Sequence, residues 1–125
     1  MQATLKVDVT EHEGWQRIAL SGEVDIGNAA RLQSALRQVC EGGASRVELD
    51  LRGVTFMDSA GLRVLIEAMD VCSHHDLRLR MFASPWLEHL FEVTGLSAVI
   101  PLHAERDDPG GQGSGGRSPS WTRAA

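Results

Sequence analysis

The chain is poor in the features that mark several large protein classes. No stretch approaches the ~18 apolar residues that span a bilayer, and Met1–Asp8 lacks the apolar centre of a secretory signal. A cytoplasmic protein with no membrane partner is the expectation. Cysteine is scarce, Cys40 and Cys72 only, which excludes a disulfide scaffold. In a reducing compartment the two are read as small core residues, with a disulfide or a metal pair as the alternative. The five histidines fall into no metal-ligand spacing. No cluster of Lys or Arg relieves the net charge of −5. That balance argues against nucleic acid or an anionic membrane surface as partner, since both attract basic proteins. No internal repeat is visible. What remains is ordinary for one globular domain: 125 residues, 42% hydrophobic and 23% charged. A chain of this length buries about two-thirds of its unfolded surface, so it folds without a metal, a disulfide or a cofactor.

Hydropathy changes period along the chain. Thr4–Val9 alternates, with Leu5, Val7 and Val9 on one side, and Trp15–Leu20 alternates again. The pair reads as a hairpin joined through Glu11–Gly14 by a loop longer than two residues. After the glycines of Ser21–Asn28 the spacing turns helical, with Leu32, Ala35, Leu36 and Val39 inward, Asn28 as N-cap and Gly42-Gly43 as the stop. Arg46–Leu51 is a strand, and a tight connection through Gly53 leads to Val54–Met57. A second helix runs from about Ser59 to Ser73, burying Leu62, Leu65, Ile66, Met69 and Cys72, with Arg63 and Glu67 paired outside. Leu77–Phe82 is a strand. Ser84-Pro85 opens a third helix that turns Leu87, Leu90, Phe91 and Thr94 inward and ends at Gly95, and Ser97–Leu102 supplies a last short strand. The order β-β-α-β-α-β-α-β implies an α/β fold with a largely parallel sheet and a hairpin edge. From Glu105 onward Gly, Ser and Pro replace the apolar residues, so residues 1–104 read as the domain and 105–125 as a disordered tail carrying Trp121.

Ligands of parallel sheets gather where strands hand over to helices. Two such junctions stand out, Gly22–Asn28 and Phe56–Gly61. At the second, Asp58 or Ser59 caps the helix. Gly61 then falls inside the first turn, where it costs about 1 kcal/mol relative to Ala. Its presence is explained if another surface must approach that turn closely, leaving the Ser59 hydroxyl open to a partner. A catalytic reading would make Ser59 a nucleophile with a base from His12, His74, His75, His89 or His103. None of these sits in a recognisable motif, and Asp-Ser-Ala-Gly is not a Gly-x-Ser-x-Gly elbow. A binding module, not an enzyme, is expected.

These residues resemble the STAS domain family, and within it the single-domain anti-sigma factor antagonists of bacteria. Leu20-Ser21-Gly22-Glu23-Val24-Asp25 is similar to the family's Gly-Glu-Leu-Asp turn. Leu49-Asp50-Leu51 followed by Phe56-Met57-Asp58-Ser59-Ala60-Gly61-Leu62 resembles its central strand and Asp-Ser-Ser/Thr-Gly-Leu turn. Leu90-Phe91 with Thr94-Gly95-Leu96 resembles its third helix and glycine end. The likeness covers about residues 4–103. It implies a mixed, largely parallel sheet of four to five strands with an N-terminal hairpin and helices packed on it. It also implies that Ser59 is phosphorylated by an anti-sigma factor that is itself a serine/threonine kinase. The unmodified chain would bind that partner and release its sigma factor, and a serine phosphatase would restore the modified one. The surface implied is Asp25, Asn28, Asp58, Ser59, Ala60, Gly61 and Leu62, with Asp25 shaping its loop and contributing to kinase recognition. Two departures stand out. Ala60 replaces a common Ser or Thr, and Asp107-Asp108-Pro109-Gly110 is a poor start for the family's usual fourth helix. The alternative is a STAS module that binds without being phosphorylated, such as an accessory subunit of a lipid-transport ATPase or a scaffold.

Overall fold

The computed structural model describes residues 4–102. Strand β1 (Leu5–His12) pairs antiparallel with β2 (Trp15–Val24), setting Leu5, Val7 and Val9 opposite Gly22, Leu20 and Ile18. The hairpin loop is two residues, Glu13 and Gly14, shorter than the sequence suggests. Both have positive φ, 52° and 87°, the combination that matches the twist of the strands it joins. Glu is an unusual first residue for such a turn, which hides it in the sequence.

From β2 the chain crosses through α1 (Ala29–Glu41) to β3 (Arg46–Met57), through α2 (Ser59–His74) to β4 (Arg78–Phe82), and into α3 (Pro85–Thr94). The strands lie in the order β1-β2-β3-β4, and all pairs after the hairpin are parallel. The mixed α/β architecture is the expected one, with four strands. No fifth strand forms over Ser97–Leu102. Gly95, left-handed at φ 83°, turns the chain into a single 3₁₀ turn, Leu96–Ala98, and only Leu102 bridges to Met81. Pro101 has no N–H to extend a ladder. The tail, with Trp121 and the position of a fourth helix, lies outside the described residues.

β3 is one strand of 12 residues, not two pieces. Its register against β2 slips twice, between Ala19/Ser21 and between Gly22/Glu23, each time with the extra residue on β3. The two bulges change the spacing of inward residues from two to three, so Leu51, Val54 and Met57 are all buried. β4 reaches only as far as Asp50. Beyond it Trp86 of α3 donates its indole N–H to the Val54 carbonyl at 3.0 Å.

Ile18, Leu20, Val47, Leu49, Leu51, Leu79 and Met81 point into the core, against Leu32, Leu36, Val39 and Cys40 of α1, Leu65 and Cys72 of α2, and Leu87 and Phe91 of α3. The buried stripe of α2 is Gly61, Val64, Leu65, Ala68 and Cys72. It is rotated from the expected one. Small residues at 61 and 68 let the helix settle close to the sheet, which leaves Leu62 and Met69 half-buried and Ile66 43% exposed. Thr94 likewise faces outward, donating its hydroxyl to Leu90. Both cysteines are buried as expected. Burial pushes both thiols up, that of Cys72 to about 12 with Cys40 adding to the effect.

The other sheet face is charged. Arg17, Glu48 and Arg80 are register partners on β2, β3 and β4. Glu48 is fully buried between the two guanidinium groups, with Arg80 Nη2 2.7 Å from Oε1 and Arg17 Nε on Oε2. The Arg80 guanidinium lies 3.9 Å from the Trp15 ring centroid. Beside this row Arg52 Nε meets Asp50 Oδ1 at 2.8 Å. Burial alone would raise the Asp50 pKa, but bonds from Arg52 and the charges of Arg52 and Arg17 outweigh it and hold the carboxyl below its ordinary value.

Candidate functional site

β2 and β3 are adjacent and parallel, and Val24 pairs with Met57. Their exits therefore lie side by side, bringing residues 25–28 against residues 58–62 although about 30 positions separate them.

Asp58 holds the two segments together. It is the N-cap of α2, extended at φ −102° and ψ −170°. Its Oδ1 accepts from the N–H of Ala60 at 2.9 Å and of Gly61 at 3.2 Å. Its Oδ2 accepts from the N–H of Ile26 at 3.3 Å, and its own N–H donates to the Val24 carbonyl at 3.2 Å. The cap is thus Asp58 and not Ser59. Ser59 is the first residue of the helix and is exposed, and its hydroxyl bonds to no other described residue.

The β2–α1 loop is held by two side chains. Asp25 Oδ1 accepts from Gly27 N–H at 2.9 Å, and the Asp25 carbonyl accepts from Asn28 and Ala29. Asn28 is buried; its Nδ2 donates to the Glu23 carbonyl at 3.0 Å and its Oδ1 accepts from Asp25 N–H at 2.9 Å. The side chain makes no cap bond to α1. Asn28 is buried, and its side chain is committed to holding the loop.

Gly61 also differs from expectation. It is buried, and a Cβ there would stand 2.6 Å from Met57 Cγ and 2.9 Å from Val24 Cγ1. Its missing side chain serves the seating of α2 on its own sheet, not the approach of another surface. Ala60 and Leu62 are half-buried and pack against the core. Of the seven expected contact residues, five keep some exposure and Asn28 and Gly61 act from beneath.

Two exposed apolar side chains lie near this corner, Ile26, which the sequence reading passed over, and Ile66, which it assigned to the core. Ile26 is 83% exposed at the tip of the loop that Asp58 holds. Ile66 lies two turns along α2 from Ser59 on the same side, since positions seven apart nearly eclipse. An apolar residue alone in a polar, glycine-bearing loop was the available signal for Ile26. Ile66 had none, because its spacing also suits a core stripe. Ser59, Ile26 and Ile66 are all exposed, the first and last on one side of α2 and Ile26 on the loop that Asp58 holds. An open cleft of about 460 Å³ lies at the opposite end of the sheet, against Gln16 and Gly43, away from these residues. His74 and His75 close the far end of α2.

A sheet of this order, with a capped Asp-Ser corner between its central strand and second helix, defines a class. The family model of the STAS domain matches residues 6–108, and the chain belongs to that family. Among characterised proteins it is similar to the anti-sigma-B factor antagonist of Staphylococcus aureus, 26% identical over 100 residues that cover 79% of this chain and 93% of that one. The counterpart from Staphylococcus epidermidis matches equally. Among solved structures, an anti-sigma factor antagonist from Mycobacterium paratuberculosis superposes with a TM-score of 0.74 at 26% identity, covering 84% of this chain and 90% of that one. The Bacillus cell fate determinant SpoIIAA in its phosphorylated form shares the fold, with a TM-score of 0.61 at 19% identity over 83% and 95% of the two chains.

Proposed function

We propose that this chain is an anti-sigma factor antagonist switched by phosphorylation of Ser59. The observation that carries the reading is the exposed, unbonded hydroxyl at the start of α2, with Ile26 and Ile66 also exposed. The names of its relatives support the same reading. The unmodified surface binds an anti-sigma factor and frees the sigma factor that it held. That partner is also the kinase. The Ser59 oxygen attacks the terminal phosphorus of ATP, a new O–P bond forms as the bond to ADP breaks, and the hydroxyl proton passes to a base on the kinase. A serine phosphatase reverses the step by hydrolysis.

The fold is suited to such a change. A phosphoserine adds about −1.5 to −2 charges. At the first position of a helix the unpaired N–H groups and the dipole favour that charge, so α2 stays formed. A partner docked over the hydroxyl meets a desolvated anion beside Asp58 instead, and every 1.4 kcal/mol lost there weakens binding about tenfold.

The test is a pull-down from a bacterial lysate with the parent chain, Ser59→Ala and Ser59→Glu, read by mass spectrometry. The first two are expected to retain an ATP-binding anti-sigma kinase and the third to lose it. Equal recovery on all three points to the non-switching STAS module, and no kinase on any of them ends the proposal.

A further inference from the structure

Arg63 is the exposed cation nearest in sequence to Ser59 within α2. Helical neighbours four apart share a face. Side chains on a helix lean toward its N-terminus, so an arginine at this position inclines over the first turn, toward the serine. Its expected partner is engaged elsewhere. Glu67 accepts from Gln33 Nε2 of α1 at 2.9 Å, and among the described residues no carboxylate lies within ion-pair distance of Arg63. The acids at the corner are committed too, Asp58 to three backbone N–H groups and Asp25 to Gly27. Arg63 is therefore a cation with no anion, one turn from a hydroxyl that stands uncovered.

We propose that Arg63 is the intramolecular receiver of the phosphate on Ser59. This rests on the phosphorylation reading above and adds to it. The planar guanidinium offers paired N–H donors that match phosphate oxygens, which the point charge of a lysine does not. Modification then alters the docking face twice. It installs an anion at position 59, and it draws in the arginine that the unmodified face presents to a partner. Release follows from a lost cation as well as from an added negative charge.

The test uses the full chain with phosphoserine placed at position 59 during translation, so that no kinase is needed. The Arg63 Nε–Hε resonance is assigned by comparison with Arg63→Gln and followed by NMR in the modified and unmodified proteins. It is expected to move downfield and to exchange more slowly with water in the phosphorylated chain. A broad-specificity phosphatase is expected to remove the phosphate about two- to fivefold faster from Arg63→Gln than from the parent, the ratio a solvent-exposed ion pair supports. Arg63→Lys should fall between them. An Arg63 resonance unchanged by the phosphate, or equal dephosphorylation of parent and Arg63→Gln, overturns the pairing and leaves Ser59 as a kinase substrate intact. A kinase that ignores Ser59 would instead remove the switch and leave the pairing measurable.

Discussion

Gly61 shows how one residue type serves a purpose other than the one its position suggests. In sequence it is a glycine inside a helix, and a partner's close approach is a reasonable explanation. In the structure the closeness is internal. Val24 and Met57 occupy the space a methyl would need. Gly61→Ala gains about 1 kcal/mol of helix propensity and loses about 1–3 kcal/mol to overpacking. A net loss of stability is expected, read as a lower denaturant midpoint. A raised midpoint would show that α2 moves off the sheet without cost. That the helix is capped at Asp58 or Ser59 was legible, because short polar residues before an apolar run are a local signal, and the structure chooses Asp58. Its bond to Ile26 was not, because it joins residues 32 positions apart.

Among the elements, α2 carries the largest correction. A stripe of Leu62, Leu65, Ile66, Met69 and Cys72 and a stripe of Gly61, Val64, Leu65, Ala68 and Cys72 both satisfy helical spacing. The first gathers larger side chains, and size misled, since a helix lying close to a sheet buries small ones. The two assignments give opposite expectations for Ile66→Ser. For a core isoleucine the loss is at least the ~2–5 kcal/mol of truncation to Ala, since the serine hydroxyl is buried too. For the half-covered residue seen here it is about 1 kcal/mol, while recovery of the anti-sigma partner falls. Unfolding midpoint and pull-down, measured on the same variant, separate them. β3 was misread for a related reason. Two bulges replace alternation by a three-residue spacing, so the strand looked like two fragments. The succession of elements as far as α3, the helix stops at Gly42-Gly43 and Gly95, and Pro85 at the start of α3 were visible, because each rests on local pattern and chemistry.

At the scale of the whole molecule, successive parallel crossovers of one hand place α1 and α2 on the same side of the sheet. The far side is then left to side chains, and Arg17, Glu48 and Arg80 form a row across three strands with Asp50 and Arg52 beside it. This arrangement makes acid a threat to the fold. The Asp50 pKa lies below its ordinary 3.8 in the folded chain. Its contribution is therefore present at higher pH and is lost as pH falls through the folded value. Asp50→Asn is expected to lower the urea midpoint at neutral pH. It should also lose less than the parent between neutrality and about pH 3. Parallel loss in both proteins would remove Asp50 from the acid response.

The carboxylate of Asp58 has one further consequence. It is a single rivet through two plates, the loop after β2 and the first turn of α2. Neither plate is at liberty to shift without loosening the other. As descendants of this sequence diverge, changes in residues 25–28 and in residues 58–62 should be inherited as matched sets, each tolerable only in the company of the other.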